Sequence, residues 1–327
     1  MSALYRPTLW IVAAMALAVL GTVTTAQAQA DFPNRPIRLM VGFPAGSVAD
    51  ISARVLANRM SQILGQQVIV EAKPGAASSI AADYAAHAPK DGYTIFQVNT
   101  ALITNAAISA KMPFDLVQDF APIGLVNAVV VVLAVPPSLG VDSLKDLIAL
   151  AKSKPGEMLY ASTGVATQPH LAGALLERRA GLKLVHVPYQ GSPQAVTDLL
   201  AGRVNMMFSP ASSVIAQAKA GQLKILATAA SRRPAILPDT PTVEESGIPD
   251  FDTSIWFGLL APAGTPRPMI DKLSHAMREA AKADEVVNAW RPQGIEPFDG
   301  GPEDLARHMA SETKIWGEVA AGAGLKK

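Results

Sequence analysis

The chain has 327 residues, 50% hydrophobic and 17% charged, with 28 Lys plus Arg against 27 Asp plus Glu and no cysteine. That is apolar material for a well-filled core and, at about 100 to 200 residues per domain, length for two domains. The balanced charge excludes a net field drawing the chain to nucleic acid or an anionic membrane. The missing cysteine excludes a disulfide-stapled scaffold, so the core alone must hold the fold.

The first residues read as an address. Arg6, the apolar run "LWIVAAMALAVL" (9–20) and the small residues of "AQAQA" (26–30) have the three-part layout of a signal peptide. Residues 1–28 are expected to be removed, with cleavage after Ala28 or Ala30. The apolar run is shorter than the ~20 residues that span a bilayer, and no second long one follows, so a soluble exported product is expected.

Beyond the address, β-rich runs alternate with helical patterns, as in α/β sheets with crossovers. The first series predicts a strand over 37–41, a helix over 49–65 stopped by Gly65, a strand over 67–71, a helix over 79–88 and a strand over 92–98. A second series begins with "AVVVVLAV" (128–135), read as one strand. It continues with a helix over 143–154, a strand over 158–162, a helix within 169–180 and a strand over 183–187. A helix over 192–202 then has Ser192 as predicted N-cap, Pro193 at the first helical position and Gly202 past its end, before a strand over 204–209. Residues 230–250 turn proline-rich and read as a long surface connection. A strand over 254–260 and an amphipathic helix over 268–283 follow.

In open α/β sheets, ligands collect where the carboxyl ends of strands meet helix N-termini. The loops at those places are 42–50, 73–79, 99–105 (with Thr100), 162–170 and 188–194. They share one chemistry, rich in Gly, Ala, Ser and Thr and poor in charge, offering backbone N–H groups, hydroxyls and the positive ends of helix dipoles. Such ends suit a carboxylate or a phosphate. A plainer reading stands beside this one for Ser47 and Asp50, whose S-x-x-D spacing is that of a capping box serving only its own helix.

Catalytic readings find less support. The chain has no G-x-S-x-G elbow, no H-E-x-x-H, no phosphate loop of the G-x-x-x-x-G-K-[ST] type and no G-x-G-x-x-G after a strand. Its five histidines are scattered without metal-ligand spacing, so neither a metal nor a cofactor is expected. His170, at a helix start beside "STG", is kept as a candidate. Asp50 as a general base lacks a visible partner. Phe43 and Tyr189 read either as pocket wall or as core, and Trp256, inside an apolar strand, as core.

The segments "RPIRLMVGFPAG", "KPGAASSIAADYAAHAPKDGYTIF", "STGVATQPHLAGALLE", "VHVPYQGSPQAVTDLLAGRVNMMF" and "LPDTPTVEESGIPDF" together resemble the extracytoplasmic receptors of tripartite tricarboxylate transporters, the Bug proteins. The likeness runs in order along nearly the whole mature chain. It implies a two-lobe periplasmic binding protein of the type II kind, each lobe an α/β sheet, joined by two crossover strands and closing on a ligand in the cleft. Lobe 1 is expected at 29–127 and 254–327, and lobe 2 at 128–253. The resemblance also implies a monomer that delivers a small carboxylate, such as a di- or tricarboxylate or an aromatic acid, to a large and a small membrane subunit.

Carried over from the family, the first gripping loop is Phe43, Pro44, Ala45, Gly46, Ser47 and Asp50, and the second is Ala76, Ala77, Ser78 and Ser79. Lobe 2 adds Ser162, Thr163, Gly164, Thr167 and His170, then Tyr189, Gly191 and Ser192. Two departures are visible, Gly46-Ser47 in place of paired glycines and Gly75-Ala76-Ala77-Ser78 in place of Gly-Ala-Gly-Gly. Side chains there narrow the site and add hydroxyls. Ser209 stands where the family often has an Asp that faces a ligand amine, which favours a plain carboxylic acid over an α-amino acid. An exported α/β enzyme acting on a carboxylic acid, or a receptor used only for sensing, are the competing readings.

Overall fold

A computed structural model describes residues 32–109, 112–165, 167–189 and 191–322; the expected signal peptide lies outside them. Among the described residues, eleven strands and ten α-helices are formed. They are β1 (Ile37–Val41), α1 (Val48–Leu64), β2 (Val68–Ala72), α2 (Ser79–Ala86), β3 (Thr94–Asn99), α3 (Thr100–Ile108), β4 (Phe120–Val129), β5 (Val131–Val135), α4 (Leu144–Ser153), β6 (Leu159–Ser162), α5 (Gln168–Ala180), β7 (Val185–Pro188), α6 (Ser192–Leu200), β8 (Met206–Pro210), α7 (Ile215–Lys219), β9 (Lys224–Thr228), β10 (Ile255–Pro262), α8 (Arg267–Lys282), α9 (Asp284–Trp290), β11 (Ile295–Gly300) and α10 (Pro302–Gly322).

The strands form two mixed sheets, six-stranded in the order β11-β4-β10-β3-β1-β2 and five-stranded in the order β7-β6-β8-β5-β9. In each sheet a parallel block carries the ligand-side loops, β2-β1-β3 in one and β7-β6-β8 in the other. Antiparallel strands complete both sheets. The apolar run 128–135, expected as one strand, is two. Val129 still pairs with Ile255 and Ile295 in the first sheet, whereas Val131 pairs with Pro210 in the second. The single residue between them, Val130, donates to Gly294 O and accepts from Ala211 N. A uniformly apolar run serves a buried strand in either sheet, so its composition carried no sign of the break.

The return path is the proline-rich stretch after β9. It is pinned to the second sheet by Thr228 N to Pro241 O, Val243 N to Thr228 O and Thr253 N to Ala229 O, each at 2.9 Å. Phe251 is fully buried against Phe208 with ring centroids 5.7 Å apart. Apolar residues of both lobes belong to one contiguous cluster, among them Phe96 of β3, Leu102 of α3, Leu133 of β5, Phe208 of β8, Trp256 and Trp316. Trp256 is core, as expected, with 1% of its surface exposed.

Two local expectations are corrected. Residues 99–105 are not a loop, because Asn99 caps helix α3 by accepting Leu102 N at 3.1 Å. Ser192 is not an N-cap. It is the first residue of α6, and Gly191, at φ 126° where a side chain is disfavoured, takes the cap position. Among the described residues no helix is long and apolar enough to cross a membrane.

Candidate ligand-binding cleft

The first loop is built by its helix. Ser47 has the extended backbone of an N-cap, and its Oγ accepts Asp50 N at 3.3 Å. The Asp50 carboxylate accepts Gly46 N at 2.9 Å and the Arg54 Nε at 2.9 Å. Burial pushes the Asp50 carboxyl up, but Arg54 and the Gly46 amide outweigh it and hold it below its ordinary value. The capping arrangement is therefore present, and it folds the loop back onto the first turn of α1.

The second loop lies against the first. A Cβ on Gly42 would stand 2.2 Å from Ser78 Oγ, so the backbone of one loop touches the side chain of the other. Ala76, Ala77 and Ser78 take φ of 46°, 51° and 77°, the left-handed region that L side chains enter at a cost. Ser78 is held there by Asn99, whose Nδ2 donates to Ser78 Oγ at 2.8 Å. Asn99 thus ties the second loop to the start of α3. Asn105, one turn on, donates to Ser79 Oγ at 3.1 Å.

The second sheet contributes the start of α5. Thr167 holds the extended N-cap conformation, and its hydroxyl donates to Gly164 O at 2.7 Å. The next residue, Gln168, donates from Nε2 to Thr253 O on the return connection at 2.6 Å. Behind this loop Ser162 Oγ meets His186 Nε2 at 2.6 Å, and His170 stacks on His186 with centroids 3.8 Å apart. Burial, then the neighbouring His186 ring, push the His170 imidazole down to about 4, so it is neutral at pH 7. The Ser162 and His186 contact resembles a nucleophile with its base, but Ser162 is fully buried and out of reach of a substrate.

Between these helix starts lies a cleft of about 540 Å³, a volume suited to a small organic ligand. Of the expected residues, Phe43, Ser47, Ala77, Thr100, Thr163 and Thr167 line it. Pro44, Ala45, Gly46 and Ala76 are exposed loop positions, while Asp50, Ser78, Ser79, Ser162, His170 and Ser209 are buried. Gly164 accepts the Thr167 hydroxyl. Tyr189 donates to Asp198 at 2.8 Å, and Gly191 and Ser192 begin α6; none of these three is among the lining residues.

The structure adds lining that sequence reasoning missed. Val48, Gln168 and Pro169 follow the N-caps, and Asn99 and Asn105 lie at the cap and inside the unrecognised helix, all within the expected loop segments but not singled out there; Ile255 and Phe257 arrive on β10 from far along the chain. The Asn99 cap was the one available signal, since Asn before a helical run marks an N-terminus. None of the described lining residues is ionisable, and no group of three or more His, Asp or Glu among the described residues is placed to hold a metal.

Two α/β lobes with helix N-termini facing a shared cleft define the class of the two-lobed periplasmic binding proteins. Residues 52–325 match the tripartite tricarboxylate transporter family receptor, and the chain belongs to that family of solute-binding receptors. It is 38% identical, over 94% of its length and 91% of the relative's, to the UPF0065 protein in the tcbD-tcbE intergenic region of Pseudomonas sp. strain P51. Among solved structures it is similar to an R. palustris protein with adipate, at 33% identity and TM-score 0.74 over 90% of this chain and 99% of that one. It is also similar to MatC from Rhodopseudomonas palustris with bound malate, at 28% identity and TM-score 0.70 over 88% and 99%.

Proposed function

We propose that the protein is a periplasmic receptor that captures a small organic carboxylate in the interlobe cleft and delivers it, unchanged, to the large and small membrane subunits of a tripartite transporter. The carrying observation is the convergence of three helix starts, at Ser47, Asn99 and Thr167, on a cleft whose described lining has no charged side chain. N–H groups unpaired in the first turns of α1, α3 and α5 would bind the anion, and their dipoles favour it without a fixed counter-ion.

Adipate and malate in structural relatives support a carboxylate ligand. Export of a monomer through the segment 1–28, and lobes at 29–127 with 254–327 and at 128–253, complete the proposal. Lobe closure would pivot near Val130 and along 229–254, where the chain passes between sheets, and would turn occupancy into a shape the membrane subunits recognise.

The test is a thermal-shift screen of the purified mature chain against di-, tri- and aromatic carboxylates. A ligand at ~100 times its Kd adds about 2.7 kcal/mol of stability, a shift of roughly 4 °C at the ~2.1 cal/mol/K of unfolding entropy per residue. If no carboxylate moves the transition, the receptor reading fails. Turnover of a bound acid would establish the enzyme reading instead.

A further inference from the structure

Resting on the carboxylate-receptor reading, the geometry points to a ligand class. We propose that the cleft selects carboxylates with an apolar body, a ring or a bare methylene chain, against hydroxylated carboxylates of equal charge and similar size. The reason lies in how five of the seven polar side chains of the described lining are already engaged, while the other two, Ser47 and Thr163, stand on the loops that open α1 and α5, where the carboxylate would be held. The Asn99 amide donates to Ser78 Oγ and accepts Leu102 N. Thr100 Oγ1 accepts Trp256 N and is 3.5 Å from Ser254 O, to which it donates. Asn105 donates to Ser79 Oγ and accepts the Ser109 hydroxyl. Thr167 is turned to Gly164 O and the Gln168 N–H to Thr253 O. Gln168 Oε1 has no partner among the described residues, but it is buried, without exposed surface from which to receive a ligand hydroxyl.

What then faces the body of a ligand is Phe43, Val48, Val165, Pro169, Ile255 and Phe257. The helix N-termini serve the carboxylate. A hydroxyl elsewhere on the ligand would leave water for a wall that returns no hydrogen bond, whereas a methylene or ring edge loses nothing there. Discrimination of this kind comes from polar groups left unpaired on binding.

The experiment is calorimetric titration of the mature protein with two matched pairs whose hydroxyl lies off the α-carbon, glutarate against 3-hydroxyglutarate and 3-phenylpropionate against 3-hydroxy-3-phenylpropionate. Each pair differs by one hydroxyl at constant charge. The deoxy member is expected to bind about tenfold tighter in both pairs. A hydroxy acid that binds as tightly as its deoxy partner, or tighter, in either pair overturns the inference while leaving the carboxylate receptor standing. If none of the four binds while another acid of the carboxylate screen does, the apolar-body inference falls and the receptor stands; if no acid of that screen binds, the receptor reading falls. Ile255→Thr, which places a hydroxyl in the wall, is expected to shrink the glutarate-to-3-hydroxyglutarate ratio to about threefold, with the unliganded melting temperature showing that the variant is folded. An unchanged ratio in that variant counts against the wall as the source of selectivity.

Discussion

The carboxylate of Asp50 accepts the backbone N–H of Gly46, four residues earlier, and closes the first ligand loop onto the helix that the loop opens. Arg54 grips the same carboxylate from the next turn. Asp50→Ala is expected to cost about 1 kcal/mol of stability, because water can replace the partner of an exposed amide, but to weaken carboxylate binding about tenfold by loosening the loop. Urea unfolding and calorimetric titration check the two numbers separately. Unchanged affinity would show that the loop keeps its shape without the clasp.

The apposed loops make a second prediction. Ala77 sits at φ 51°, so Ala77→Gly relieves the left-handed strain of roughly 1–2 kcal/mol against an unfolded-state entropy cost of about 0.4–1 kcal/mol. A net gain of about 0.5–1 kcal/mol is expected. Ser78→Gly is expected to gain nothing despite φ 77°, since it strips the buried Asn99 amide of its acceptor. Gly42→Ala drives a methyl into Ser78 and is expected to lose about 1–3 kcal/mol together with ligand binding. Denaturant midpoints of the three variants test the order.

Glu312 on α10 is a buried carboxyl that accepts N–H from Trp256 at 3.2 Å and from Trp316 at 2.6 Å. Burial pushes it up to about 7 from an ordinary 4.5, only partly offset by the two indoles, and the negative Asp252 adds to the rise. The folded state therefore keeps a proton that the unfolded chain has lost. Stability from this group is fully present below pH 4.5 and is lost as pH rises to about 7. Glu312→Gln keeps an acceptor for the indoles without the charge, and should exceed the parent at pH 8 by on the order of 2 kcal/mol. The difference should vanish near pH 4, as thermal melts across that range would show.

His170 gives the opposite sign. Its folded-state value, near 4, lies below the ordinary 6.5, so stability from this group is present above pH 6.5 and is lost as pH falls toward 4. His170→Gln should remove that acid loss, and a melt at pH 4.5 compared with pH 7.5 reads it. An unaltered acid limb in the variant would assign the loss to other groups.

Gln168 couples the ligand-side start of α5 to the return connection through its bond to Thr253 O. Gln168→Ala is expected to weaken carboxylate binding about threefold to tenfold while costing ~1 kcal/mol of stability. A rise in the dissociation rate, read by stopped-flow fluorescence, would separate loss of this tie from general unfolding.

Much of the fold was legible because its signals are local. The alternation of strands and helices, the Gly65 stop and the Ser47 cap are written in spacings of two, three and four residues. The elements that escaped carry weaker local signals, as with α3, whose Thr and Ile residues look like neither a helix nor a strand, or β4, whose glycine and proline break the pattern of a strand. The first loop and the lobe-2 loop were visible as motifs, whereas Ile255 and Phe257 were not, since nothing in "SIWFGLL" distinguishes a wall of a cleft from a core strand.

By itself the sequence determined which chemistry the loops could offer, backbone amides and hydroxyls in place of charge, because composition limits the groups available. Only the tertiary structure decided which of those groups stay available. Hydrogen bonding between residues that stand 21 to 156 positions apart consumed Asn99, Thr100, Ser78 and Gln168, and the return of the chain to the first sheet along 229–254 brought Ile255 and Phe257 of β10 to the cleft. Both outcomes depend on long-range pairing, for which a linear pattern of residues holds no record.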